Sequence, residues 1–256
     1  MVSSWDQNIF KPLFVVFLLI PVTVLLILAL GTQWAWPEVL PKHWTLSNWN
    51  RASGSEQQLY AGFFTSLAIA SSVALSATLF GFLTSRSIAY AKHGNRWLIS
   101  AYSPYVISPI LYAIWIHIFF VRGNLAGTLA GVLVGQFLLA YPYAVIFFQG
   151  FWTHKIRAYE ELSATLGSSF RKTQLKVILP MATGLITVCL FQCFLISWFE
   201  FGLTSLIGVG KIKTLPIIVY TFVQEANIHM TAVASLMLVL PIFAISYFRR
   251  SWILKR

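Results

Sequence analysis

The sequence predicts an all-α polytopic membrane protein: six transmembrane helices with a cytoplasmic two-helix loop. Three observations lead there. Of 256 residues, 58% are hydrophobic and only 10% are charged, too little charge to cover a soluble domain of this size. The apolar residues fall in blocks that reach the roughly 20 residues needed to cross ~30 Å of hydrocarbon. Lys and Arg gather in alternate loops, as on the cytoplasmic side of membrane proteins. The short alternating strands of an outer-membrane barrel are missing from the pattern. The formal net charge of +11 is dispersed among loops, so the lipid bilayer is the expected partner and nucleic acid is not.

The spans follow in order. The first, Leu13–Trp34, comes after Lys11 as a signal peptide would. Its apolar run is longer than the roughly 7–15 residues of a signal core, and no small-x-small cleavage site follows, so it is expected to stay as an N-terminal addition. The second is Gly62–Leu83, with small residues four apart at Gly62, Ser66, Ala70, Ala74 and Thr78. The third is Trp97–Val121 and the fourth Ala126–Phe151, which carries Gly127, Gly131 and Gly135. Small ridges let helices approach closely, either within one subunit or between subunits. The fifth is Met181–Ile207 and the sixth Met230–Phe248. Pro104, Pro109, Pro142 and Pro241 each interrupt a helical ladder and are expected to kink or break it. Residues 1–256 read as a single transmembrane domain with a core of about 62–248. With both termini in the cytoplasm, thirteen Lys and Arg lie inside against five outside, which favours that orientation. On the outer side, Lys213–Val223 is too short to span and reads as a re-entrant or surface helix. Cys189 and Cys193, four apart on one helix face, read as small packing residues.

Between spans four and five the pattern changes. Tyr159–Pro180 is polar, with two glutamates, three basic residues and a central glycine. Read as helix, Ile156, Tyr159, Leu162 and Leu166 share a stripe. Gly167 then stops the helix, where a left-handed residue is easily placed. Ser168 or Ser169 can cap a second helix with Phe170, Val177, Ile178 and Met181 on its stripe, and Pro180 suits the start of span five. Two short amphipathic helices with a glycine elbow result. They either lie flat on the bilayer or offer a docking surface to a cytoplasmic partner.

This loop resembles the signature of permease subunits of binding-protein-dependent ABC importers: Glu-Ala-Ala, three residues, Gly, nine residues, Ile-x-Leu-Pro. Here Glu161, Leu162 and Ser163 precede Ala164–Leu166 and Gly167; Ser168–Lys176 follow, and then Val177, Ile178, Leu179 and Pro180. Leu162 and Ser163 replace two alanines and Val177 replaces isoleucine, with the spacing intact. The six-span layout, Glu200-Phe201-Gly202 and a later Thr214-Leu215-Pro216 most resemble the polyamine, iron(III), phosphonate and sulfate type. The resemblance implies a non-enzymatic permease subunit in a bacterial plasma membrane, with no cofactor of its own. It implies a cytoplasmic ATP-binding subunit dimer, a second permease chain, the same or related, and an extracytoplasmic substrate-binding protein as partners. It assigns Tyr159, Glu161, Leu162, Ser163, Leu166, Gly167 and Pro180 to ATPase coupling.

Candidates for the transport path are few. Glu200 is the one carboxylate placed within a span, near the outer end of span five. An ionisable group there is either functional or an interfacial glutamate paired with a base. Gln136, Gln149 and Gln192 suit interhelical hydrogen bonds or the path itself. His117 reads as a hydrogen-bonded core residue and His229 as interfacial. Gly208–Ile212, GVGKI, has Ser205 and Ile212 where a P-loop needs Gly and Ser/Thr, and is rejected as a phosphate site. A secondary transporter with Glu200 as proton carrier is the alternative reading, against which no internal repeat is evident.

Overall fold

The computed structural model describes residues 17, 19–32, 40–49 and 57–253. The expected start of span one at Leu13, its end at Trp34, Lys11 and the chain ends lie outside them. The chain forms two compact units: Ser66–Lys213, and Met1–Thr65 with Thr214–Arg256. Among the described residues the fold is all-α apart from one pair of two-residue strands.

The Ser66–Lys213 unit holds both candidate sites. Helix α2, Gln57–Tyr90, enters it from the other unit, and α5 spans Leu129–Gln149. Their partners rise in number together: Phe80 meets Phe137 with ring centroids 6.1 Å apart, Tyr141 donates to the Thr84 hydroxyl at 3.0 Å, and Gln149 donates to the Ser85 carbonyl at 3.2 Å. The two helices are therefore parallel. The segment between them must return the chain to its starting end.

That segment is α3, Gly94–Val106, and α4, Pro109–Arg122, bent by 99° at a break just before Pro109 within the expected third span. Proline disfavours the α region for the residue before it. Ser108 accordingly sits at φ −55°, ψ 135°, and Ile107 is extended as well. Pro142 and Pro241, by contrast, lie inside α5 and α10 without ending them.

The chain then forms α6, His154–Thr165, and α7, Phe170–Trp198. Helix α7 runs antiparallel to α5: Tyr143 donates to Gln192, and Ser197 to Gln136. The expected fifth span stops at Trp198, and Gly202–Gly208 forms a separate short helix, α8. Helix α8 fits closely on α5 because Gly135 has no side chain: a Cβ there would lie 2.7 Å from Leu203 and Ile207. Ser66, Ala70, Ala74 and Thr78 are buried within this chain, so their ridge packs inside the subunit. Cys189 and Cys193 are free and buried.

In the other unit, α1, Leu19–Leu30, ends on a set of donors that satisfy its last carbonyls. His229 donates to Leu28 at 2.8 Å, Asn48 to Ala29 at 3.0 Å, and the Thr45 N–H to Leu30 at 2.8 Å. Strands β1, Gly31–Thr32, and β2, His43–Trp44, pair antiparallel just beyond. Helix α9, Leu215–Gln224, packs on α10, Ile228–Ile253. Among the described residues, three helices are long and apolar enough to cross a membrane, or four if the bent pair is one span; the apolar stretches Leu19–Leu30 and Ile228–Phe243 are shorter.

Candidate coupling surface and interior polar site

Helix α6 has two faces of opposite use. Ile156 is buried, and Trp152 just before it donates to the Ser85 hydroxyl at 2.8 Å, which holds the start of the helix against α2. On the other side Tyr159, Leu162 and Leu166 are 47%, 57% and 80% exposed. Ile156 thus leaves the stripe that the sequence gives it, and the remaining three form an apolar knob. Phe170, 62% exposed, continues it across the elbow.

The elbow is a Schellman turn. The Ser168 N–H donates to Ser163 at 3.1 Å and the Gly167 N–H to Ala164 at 3.0 Å. Gly167 takes φ +78°, and a Cβ there would meet nothing within 4 Å. The requirement for glycine is therefore conformational and not spatial. Ser163 is half-buried and shares a 2.9 Å hydrogen bond with Thr173 across the elbow. Glu161 is exposed and pairs with Arg157, one turn away, at 3.0 Å.

The second loop helix is not a separate element. It continues as α7 from Phe170 to Trp198, with a π-helical stretch at Gln174–Ile178 just ahead of Pro180. A proline inside a helix lacks the N–H and presses on the carbonyl four residues back. The wider π turn accommodates that proline without breaking the helix. The expectation of a separate short second helix is corrected accordingly.

The residue that holds this loop in place is Glu160, which the sequence reading passed over for its neighbour. Arg86, near the end of α2, donates to both Glu160 oxygens at 3.0 Å. Gln174 of α7 donates to the same carboxylate at 2.8 Å. The Arg86 guanidinium also sits over the rings of Tyr90 and Phe170, 5.1 and 4.8 Å from their centroids. Burial pushes the Glu160 carboxyl up, but its bonds to Arg86 and Gln174 outweigh this and hold it below the usual carboxylate range. A clue lay in the sequence: an acid adjacent to Glu161 and a base closing a long apolar segment.

The interior candidates form a thread. Both Glu200 oxygens are engaged: the Leu203 N–H donates to one at 2.6 Å, and the Thr204 N–H and hydroxyl to the other at 2.8 and 2.6 Å. Glu200 thus caps α8 rather than pairing with a base. Gln136, buried, donates to the Thr204 hydroxyl at 2.8 Å and accepts from Ser197. Gln192 belongs to a different contact, accepting from Tyr143, and Gln149 reaches the Ser85 carbonyl. The Nδ1 of His117 is buried with no hydrogen-bond partner among the described residues, contrary to the expected core hydrogen bond. Gly208–Ile212 follows the end of α8, with Val209 at φ +47° and Gly210 at +70°. It does not open a helix, as a phosphate cradle would.

No family model and no curated protein matches the chain. Among solved structures, it resembles a chain in the crystal structure of a bacterial ABC transporter involved in the import of the acidic polysaccharide alginate. The TM-score is 0.70 over 98% of this chain and 99% of that chain, at 12% identity. What the two share is the fold: this chain is built like a chain of a bacterial ABC transporter.

Proposed function

We propose that the chain is the transmembrane permease subunit of an ATP-driven ABC importer in a bacterial inner membrane. Its helices form the translocation path, and the Tyr159–Pro180 loop couples them to an ATP-binding subunit. The observation that carries this reading is the loop: an exposed apolar knob of Tyr159, Leu162 and Leu166, next to a glycine elbow at φ +78° and anchored from behind by Glu160. An exposed apolar patch on a polar, projecting element marks a protein contact. The shared fold with a chain of a bacterial ABC transporter agrees. Within Ser66–Lys213, eight Lys and Arg lie between Arg86 and Arg96 or between Lys155 and Lys176, against three elsewhere. That bias supports a cytoplasmic loop and, with it, cytoplasmic termini.

ATP chemistry would then belong to a cytoplasmic ATP-binding subunit dimer. A second permease chain, the same or related, would complete the path, and an extracytoplasmic binding protein would deliver cargo. The ion-coupled alternative gains nothing from Glu200, whose oxygens are committed to α8 and Thr204. Tagged chain purified from native membranes should bring down an ATP-hydrolysing subunit. Leu166→Asp and Glu161→Lys should still insert but recover several-fold less of it. Undiminished recovery by both variants would remove the coupling role from the loop.

A further inference from the structure

We infer that Arg86 and Glu160 form a transmission pin that makes the polar loop and the cytoplasmic end of α2 move as one body; the inference rests on the coupling role proposed above. Three helices meet at Glu160: it belongs to α6, its carboxylate takes both donors of Arg86 from α2, and Gln174 reaches it from α7. The arrangement is protected. The side chains of Arg86 and Glu160 are only 27% and 12% exposed, and the Tyr90 and Phe170 rings flank the guanidinium. A two-pronged Arg–carboxylate contact fixes orientation as well as distance, which a single ammonium contact does not. By comparison, Arg157–Glu161 has side chains 58% and 67% exposed and is of the kind that contributes little.

The placement of the pin gives it a direction of action. The knob residues Tyr159, Leu162 and Leu166 are exposed, whereas Glu160 turns inward on the same helix. A partner that displaces the knob therefore pulls on α2 through Glu160 and Arg86. Helix α2 runs from Tyr90 to Gln57, so a shift at its end is carried along a transmembrane element. Gln174 and the Ser163–Thr173 bond tie α7 to the same body. Arg86 and Glu160 are thus positioning residues: neither is part of the exposed knob.

The test uses the assembled transporter, purified with its partner subunits into lipid nanodiscs, with spin labels at Ser87→Cys and Lys155→Cys. Both positions are exposed, and Cys189 and Cys193 are buried and silent. The wild-type distance distribution should be narrow and the same without nucleotide and with ATP plus vanadate. Arg86→Gln should keep the ATP-hydrolysing subunit bound and its hydrolysis within about twofold, yet widen the distribution roughly twofold and make it nucleotide-dependent. The exchanged pair Arg86→Glu with Glu160→Arg should narrow it again. Separation of the labels on adding ATP plus vanadate in the wild type would overturn the pin, as would an unchanged distribution in Arg86→Gln or no recovery in the exchanged pair. Should Arg86→Gln fail to insert, the wild-type comparison and the exchanged pair decide alone. Failure of the coupling reading is read elsewhere, from undiminished subunit recovery by Leu166→Asp, because the nucleotide-free distance reports the pin without any partner action.

Discussion

Gly167 illustrates what one residue contributes and why its neighbours alone do not reveal it. Its φ of +78° is in the left-handed region, and the surrounding space is empty. A β-branched replacement pays roughly 1 kcal/mol or more for its Cβ in that conformation. Asparagine tolerates it better. Gly167→Val should therefore lower recovery of the ATP-hydrolysing subunit several-fold, and Gly167→Asn should fall between it and wild type. Equal recovery by both would mean that the elbow's conformation is not required. The glycine was legible from the sequence because only backbone conformation was at stake. Glu160 was not, because its meaning depends on Arg86, 74 positions earlier, and only packing brings the two together. Its lowered pKa carries a pH signature. The stabilisation from a depressed carboxylate is fully present above its unfolded value, about 4.3, and is lost as pH falls through the lower folded value. The stability gap between wild type and Glu160→Gln, measured by thermal unfolding in detergent, should be flat from about pH 6 to 8 and should close only below about pH 4. A gap that closes near neutrality would contradict the geometry of the pair.

At the scale of elements, hydrophobic blocks located the helices well and their breaks poorly. Span four was expected at Ala126–Phe151 and is Leu129–Gln149, since a block of apolar residues fixes length directly. Span five was drawn through Trp198, although Phe199–Phe201 separates α7 from α8. Hydropathy is blind to that break because α8 is as apolar as α7. The signal was Glu200 itself, an acid positioned to cap the next helix. Capping predicts a specific hierarchy. Glu200→Gln keeps one acceptor oxygen where two now serve three donors, and should cost about 0.5–2 kcal/mol of stability. Gln136→Leu strands the Ser197 hydroxyl, while Thr204 keeps its bond to Glu200, and should cost a similar amount, about 0.5–2 kcal/mol. Thermal unfolding in detergent checks both. The two effects should be less than additive, because Thr204 links the residues. Wild-type stability in Glu200→Gln would return Glu200 to the status of a free ionisable group available to cargo.

Across the Ser66–Lys213 unit, the parallel course of α2 and α5 constrains topology more tightly than any hydropathy count. Parallel helices joined by one connection require that connection to cross, so α3 and α4 act as one broken span despite their 99° bend. The antiparallel α7 then returns the chain, and both Gly208–Lys213 and Arg122 fall at the end opposite the loop. Under the proposed function, the basic bias puts the loop end in the cytoplasm. Single cysteines at Lys92, Leu166 and Lys211, all exposed, turn this into an outcome. Cys189 and Cys193 are fully buried and should stay unlabelled. In intact cells whose outer barrier is open to small solutes, a membrane-impermeant maleimide should label Lys211→Cys alone. After the inner membrane is permeabilised and any docked ATP-hydrolysing subunit is stripped away, Lys92→Cys and Leu166→Cys should label as well. Labelling of Lys92→Cys and Leu166→Cys together in intact cells would invert the protein and remove the loop from any ATP-hydrolysing partner. Labelling of only one of those two would mean that the ends of α2 and α6 lie on opposite sides. The 3.0 Å Arg86–Glu160 contact forbids that, because a bilayer cannot pass between two bonded side chains.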